Sequence, residues 1–156
     1  MQSPVDPSMP SPSLPRRLAA MVYDTLLVLP IVMAVVALAT GLQVAVLGSS
    51  SEADFSSTLP SWLVQLLAVV TVACFYTFFW CRSGQSLGMQ AWRIKLRDVQ
   101  GRTITQRRAL LRCAGAFISF AALGLGYLWC LVDRDGRYWH DHWSGTCLEL
   151  LPKKQD

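Results

Sequence analysis

A single aspartate inside a long apolar run is the residue of this sequence best suited to chemistry. Asp24 follows Arg17 by seven residues and is the only charged residue from 18 to 40. Seven residues advance ~10 Å along a helix and return to nearly the same face, so both side chains should face protein or a cavity. A charge near the bilayer centre costs roughly 2.5–3.5 kcal/mol. Asp24 is therefore a proton or cation site, or a buried carboxylate that fixes helix packing.

A second polar group lies near the end of the chain, between Arg137 and Thr146. Within it, His140, Asp141 and His142 could suggest a metal site, but two histidines and one carboxylate are weak evidence without further ligands. We expect a hydrogen-bonded anchor there, with no metal and no other cofactor. The sequence contains no nucleophile elbow, phosphate-binding glycine loop or paired-carboxylate site, so we do not expect an enzyme.

The composition indicates a membrane protein. Hydrophobic residues make up 53% of the chain and charged residues 15%, whereas a soluble domain has roughly 25% charged residues. The net charge of +4 comes from Lys and Arg beside apolar runs, where they hold helix ends at anionic lipid headgroups. We expect the lipid bilayer as the partner, with anionic headgroups at the basic loop, and no nucleic acid.

Three apolar runs are candidate membrane spans, at about residues 18–40, 60–81 and 109–132. The first spans ~34 Å as a helix, enough for a hydrocarbon core of ~30 Å. The Pro/Ser-rich residues 1–15 are predicted to be a disordered tail, and 152–156 a second, short tail. The predicted transmembrane domain is therefore 16–151.

The distribution of basic residues predicts the orientation. Residues 82–108 carry seven Lys or Arg and one acid, whereas residues 41–59 carry no Lys or Arg. By the positive-inside rule, the N-terminus and the 82–108 loop are cytoplasmic and 41–59 faces outwards.

The basic loop also has a strand pattern. Residues 92–97 alternate between apolar and basic, residues 98–101 are turn-forming, and residues 103–105 are β-prone. This pattern predicts a small cytoplasmic β-hairpin. Because an isolated hairpin is marginal in water, it should rest on the membrane or pair with another strand, for which residues 147–150 are the other candidate.

The third run leaves two arrangements open. It is long enough for one span, which would place the C-terminus outside. Arg112 lies near its start, however, and Gly124-Leu125-Gly126 interrupts it as a helix breaker would. A broken or re-entrant helix pair would return the C-terminus to the cytoplasm and let residues 147–150 meet the hairpin. We favour this returning arrangement.

Three motifs occur in order along the chain. They are Arg17 and Asp24 in the first helix, Gly84, Gln85, Ser86, Leu87 and Gly88 after the second, and Arg137, His140, Asp141, Gly145 and Thr146 near the end. These motifs resemble those of the RDD family of bacterial membrane proteins. The resemblance covers residues 16–151 and implies that Arg17, Asp24 and Asp141 are the arginine and the two aspartates for which the family is named. It also implies transport of unidentified ligands.

Together these patterns predict an all-α membrane protein with two transmembrane helices, a third hydrophobic segment and a small cytoplasmic hairpin. The predicted protein is a multi-pass component of the bacterial inner membrane with a cytoplasmic N-terminus. The leading function is transport linked to protons or cations, in a homo-oligomer because one subunit offers too few helices to enclose a pathway. The alternative is a non-transporting accessory or assembly subunit that docks against a partner in a membrane complex.

Overall fold

Two long helices account for the first half of the fold. The computed structural model describes residues 11–47 and 59–152. The elements in chain order are α1 (Leu14–Leu47), α2 (Ser61–Ser83), α3 (Leu87–Ala91), β1 (Ile94–Asp98), α4 (Gln106–Ala121), α5 (Leu125–Leu128), a 3₁₀ turn (Trp129–Leu131), α6 (Trp139–Ser144) and β2 (Thr146–Leu150).

Both α1 and α2 are long and apolar enough to cross a membrane. With 34 and 23 residues, they extend about 50 Å and 34 Å. The predicted span 18–40 lies within α1, and all of 60–81 except its first residue lies within α2, so both helices are confirmed. Pro30 lies inside α1 without ending it, as membrane helices often tolerate.

The third apolar run is broken, as the glycines near its middle predicted. α4 is followed by the short helical stretch Leu125–Leu131, and the two axes are bent by 108°. The backbone turns at Leu123 and Gly124, which have φ of 55° and 80°. A left-handed backbone ends an α-helix, and glycine adopts it without steric cost.

The small sheet differs from the predicted hairpin. β1 pairs antiparallel with β2, from Ile94 opposite Leu150 to Asp98 opposite Thr146. Residues 103–105 form no strand, so that part of the prediction is wrong, whereas the candidate pairing with 147–150 is confirmed. Residues 103–105 do not pair with β1 because the chain turns tightly after this strand. The turn is closed by a hydrogen bond from the Asp98 N–H to the Arg102 carbonyl at 3.1 Å. Only three residues then remain before α4 begins.

The described residues divide into two units. One contains residues 25–47 and 59–75, and the other contains residues 11–24 and 76–152. The second unit holds the sheet, the short helices and the core. The buried apolar residues that pack together as this core are Ala20, Trp80, Met89, Ile94, Leu96, Ile104, Ala109 and Cys113.

The sheet buries the face that the alternation predicted. Ile94 and Leu96 are each 1% exposed, while Lys95 and Arg97, which alternate with them in β1, are only half-buried. Trp92 precedes the strand and is 38% exposed. The pattern therefore located the strand and its buried face correctly.

Candidate functional site

Asp24 binds the start of α3, a helix from a distant part of the chain. The side chain is 3% exposed. One carboxylate oxygen accepts a hydrogen bond from the Gly88 N–H at 2.8 Å, and the other accepts from the Ser86 hydroxyl. The Ser86 Oγ in turn accepts from the Met89 N–H at 3.3 Å, as a helix N-cap does. Asp24 therefore joins α1 to the N-terminus of α3.

The glycine motif after α2 makes this contact possible. A Cβ on Gly88 would clash with the Ala20 carbonyl oxygen and would lie 3.0 Å from the Asp24 carboxylate carbon. Gly84 has φ of 71°, and its carbonyl accepts from the Leu96 N–H at 2.7 Å. The motif thus carries the chain from α2 through α3 to β1.

Gln85 reinforces the link to the sheet. Its side-chain amide donates to the Ile94 carbonyl of β1 at 2.8 Å. This bond uses a carbonyl on the edge of β1 that faces away from β2. α3 is therefore held at one end by Asp24 and next to the strand by Gln85.

Asp141 lies in a second buried cluster and has a cationic partner. It forms an ion pair with Arg112 of α4, and its other oxygen accepts from the Tyr138 N–H at 2.9 Å. Arg112 also donates to the Thr146 Oγ1 at 2.8 Å. Its guanidinium carbon lies 5.3 Å from the centre of the Trp80 ring. Sequence reasoning treated Arg112 only as a charge that interrupts a span and missed its pairing with Asp141.

Arg17 is buried but does not form an ion pair with Asp24 among the described residues. Its Nε donates to the Pro12 carbonyl at 2.8 Å, and its guanidinium carbon lies 4.8 Å from the centre of the Tyr138 ring. Arg17 and Asp24 are 4% and 3% exposed, so the prediction that both face protein is confirmed. Their separation along the helix keeps them apart, as the sequence spacing indicated.

The two histidines have different surroundings. His140 is 2% exposed, and its ring centre lies 5.0 Å from that of Tyr138. Burial and, to a smaller extent, the nearby Arg112 charge lower the pKa of His140 to about 3, so His140 is neutral at physiological pH. His142 instead approaches Asp133 at 3.3 Å. The structure therefore does not bring the two imidazoles together as ligands.

The remaining residues of the C-terminal motif shape the chain around α6. The Arg137 N–H donates to the Asp133 carboxylate at 2.8 Å, and this bond lowers the pKa of Asp133. Gly145 has φ of 62° and ends α6. Burial raises the pKa of Tyr138 to about 12, so its hydroxyl stays protonated. These contacts fix the backbone on both sides of α6, and the role of the segment as an anchor stays a prediction.

Charge balance distinguishes the two aspartates. Asp141 is paired with Arg112, and the buried Asp98 is paired with Arg108. Asp24 has only neutral donors, and no basic side chain lies within 4.0 Å of it in residues 11–47 and 59–152. Asp24 is thus a buried carboxylate whose charge is not matched by a neighbouring cation.

Comparison with known proteins gives one match. The model of the RDD family matches residues 11–145, a range that includes both aspartates and the glycine motif. No curated protein and no solved structure matches the chain.

Proposed function

Because the chain belongs to the RDD family and has helices apolar enough to span a membrane, we propose that it is a transport-related, multi-pass protein of the bacterial inner membrane. In this proposal the N-terminus is cytoplasmic, and Asp24 is the group that takes up a proton or small cation. The proposal includes no enzymatic activity. It is supported above all by the unmatched charge of Asp24.

A buried carboxylate is costly unless its charge is compensated. The bonds from Ser86 and Gly88 satisfy oxygen lone pairs but leave the negative charge in place. A proton or a small cation would neutralise it. Asp141, which has Arg112 beside it, has no such need, so Asp24 is the stronger of the two candidates.

The same contacts give a route from a charge change at Asp24 to a structural change. Protonation would turn the oxygen that faces Ser86 from an acceptor into a donor, and it would remove the charge from the oxygen that accepts from Gly88. These bonds hold the start of α3, and Gln85 links that segment to β1. Loading of Asp24 with a proton would therefore reverse the bond to Ser86 and weaken the bond from Gly88, without breaking the contact between α1 and α3. A single chain has too few spans to enclose a pathway, so we expect a homo-oligomer.

Flux through liposomes that contain only the purified protein tests this function. Proton movement would be followed with an entrapped pH-sensitive dye, and cation movement with imposed Na⁺ or K⁺ gradients. Asp24→Asn keeps the shape of the side chain but cannot exchange a proton, so it should abolish flux while leaving thermal stability nearly unchanged.

The matched control is Asp135→Asn, which removes the same charge from a side chain that is 63% exposed. This variant should transport like the unmodified protein. Normal flux in Asp24→Asn would refute the assignment of Asp24, and no flux in the unmodified protein would favour the second candidate.

The second candidate is a non-transporting accessory or assembly subunit. It is favoured by the uncovered surface of the long helices, because the described residues bury none of the most apolar stretch of α2. Lipid or the helices of a partner could cover this surface. In this case Asp24→Asn would be tolerated in the cell, whereas Asp24→Leu would destabilise the fold or the complex.

A further inference from the structure

Ion pairs in the folded protein neutralise part of the positive charge of the basic loop, residues 82–108. Three arginines of the loop, and Arg112 of α4, form ion pairs with buried acids, so these four charges are not available to a ligand. Arg97 pairs with Glu149 at 2.8 Å, Arg102 and Arg108 pair with Asp98, and Arg112 pairs with Asp141.

Arg82 is one of the basic residues of this loop that have no acidic partner among the described residues. It lies in the last turn of α2 and is exposed. Its guanidinium carbon is 5.9 Å from the centre of the Phe78 ring, one turn earlier. No carboxylate lies within 4.0 Å of Arg82 in the part of the chain that the structure describes. Its charge is therefore available at the end of a membrane helix.

Lys95 of β1 is the second available cation. Glu149 lies opposite it in the sheet, but the Glu149 carboxylate pairs with Arg97 on the same face. That face therefore carries two cations and one anion. No ion pair of Lys95 occurs within residues 11–47 and 59–152.

Gly84 brings Lys95 to the end of α2. The Lys95 Cγ and Cε lie 3.6 Å and 3.4 Å from the position that a Cβ on Gly84 would take. The Leu96 N–H bonds to the Gly84 carbonyl at 2.7 Å, which fixes β1 against the same point. Lys95 thus packs against Gly84, which lies two residues after Arg82 at the end of the apolar helix.

We propose that Arg82 and Lys95 bind the phosphate group of an anionic membrane lipid at the end of α2. A helix that crosses the bilayer ends at headgroup depth, where Lys and Arg interact with anionic lipids. Phe78, which is 58% exposed, lies one turn deeper, where it would contact the acyl chains. Arginine matches two phosphate oxygens with its planar fork, and lysine adds a point charge. This inference requires a membrane protein but does not depend on transport.

Lipid binding to the full-length protein in detergent tests the proposal. Native mass spectrometry would give apparent Kd values for dioctanoyl phosphatidylglycerol and for the zwitterionic dioctanoyl phosphatidylcholine. The unmodified protein should prefer phosphatidylglycerol. Arg82→Gln and Lys95→Gln should each weaken its binding about fivefold, and the double variant about 25-fold. Binding of phosphatidylcholine, whose phosphate charge is balanced by its own choline group, should change much less.

Arg107→Gln is the matched control, because it removes the same charge from an exposed arginine of α4. It should change affinity much less than either variant, and Arg82→Lys should retain binding. An equal loss in Arg107→Gln, or equal binding of the two lipids, would overturn the local site. Inorganic phosphate that competes as well as the lipid would overturn the lipid assignment. If Lys95→Gln lowers the unfolding temperature, the exposed Arg82→Gln decides the question by itself.

Discussion

Replacing Gly88 with alanine tests the contact that joins α3 to α1. A Cβ at this position would clash with the Ala20 carbonyl oxygen and lie 3.0 Å from the Asp24 carboxylate carbon and Oδ1. Gly88 is not among the glycines with positive φ, so the expected effect is steric and not a matter of backbone conformation. α3 must therefore move away from α1 in the variant.

The magnitude follows from two effects of that movement. Overpacking a buried contact typically costs about 1–3 kcal/mol. Losing the hydrogen bond from the Gly88 N–H to the charged Asp24 oxygen costs roughly another 1.5–3 kcal/mol. The higher helix propensity of alanine offsets about 0.5–1 kcal/mol of this. We expect a net loss of about 2–5 kcal/mol in the free energy of unfolding.

The assay is unfolding of the purified protein in mixed micelles, followed by circular dichroism. Gly41→Ala is the control, since Gly41 lies inside α1, six residues before its end, and no heavy atom lies within 4 Å of the added Cβ. This variant should be neutral or more stable by about 0.5–1 kcal/mol. The reasoning is refuted if Gly88→Ala is as stable as Gly41→Ala, because α3 would then not depend on its approach to Ala20.

Three further predictions concern the second cluster, pH and orientation. Arg112→Leu and Asp141→Leu should each cost roughly 3–5 kcal/mol in unfolding free energy, and a double-mutant cycle should show a combined loss smaller than the sum. Because the pKa of His140 is about 3 in the fold and 6.5 ordinarily, the unfolded state binds more protons between these values, so stability should fall as pH decreases from 6.5 towards 3. His140→Gln should remove this part of the pH dependence of the unfolding temperature. In a cysteine-free background, Cys at Ser50 should be labelled from outside and Cys at Gln100 only after permeabilisation; the reverse pattern would contradict the orientation.

Features encoded by neighbouring residues were predictable from the sequence. Length and apolar content located α1 and α2, and strict alternation located β1 with its buried face. The glycines at 124 and 126 located the break in the third run, because glycine accepts the left-handed backbone that ends a helix. Each of these depends on a short window, so no knowledge of the tertiary contacts was needed.

Contacts between distant segments were not predictable in the same way. The hairpin prediction paired β1 with the nearest β-prone residues. In the structure the chain turns after Asp98, and α4 begins too soon after this turn for a second strand to form. Nothing in the sequence around Arg112 identifies Asp141, 29 residues away, as its partner. Similarly, the donors to Asp24 come from 62 and 64 residues further along the chain. The family motifs indicated which residues are important but not which of them are in contact.

Asp24 and Asp141 bind the backbone in the same way, but loss of the negative charge has different effects on stability at the two positions. Each carboxylate accepts a backbone N–H at the start of a short helix: Asp24 binds α3 from another segment, and Asp141 binds the Tyr138 N–H within its own. Removing the charge of Asp141 leaves Arg112 buried without a partner, which is strongly destabilising. Removing the charge of Asp24 leaves only neutral donors, and an asparagine can still accept from Gly88 and donate to the Ser86 Oγ. The architecture therefore requires the charge of Asp141 but only the shape and polarity of Asp24, so the charge of Asp24 is free to serve a function other than folding.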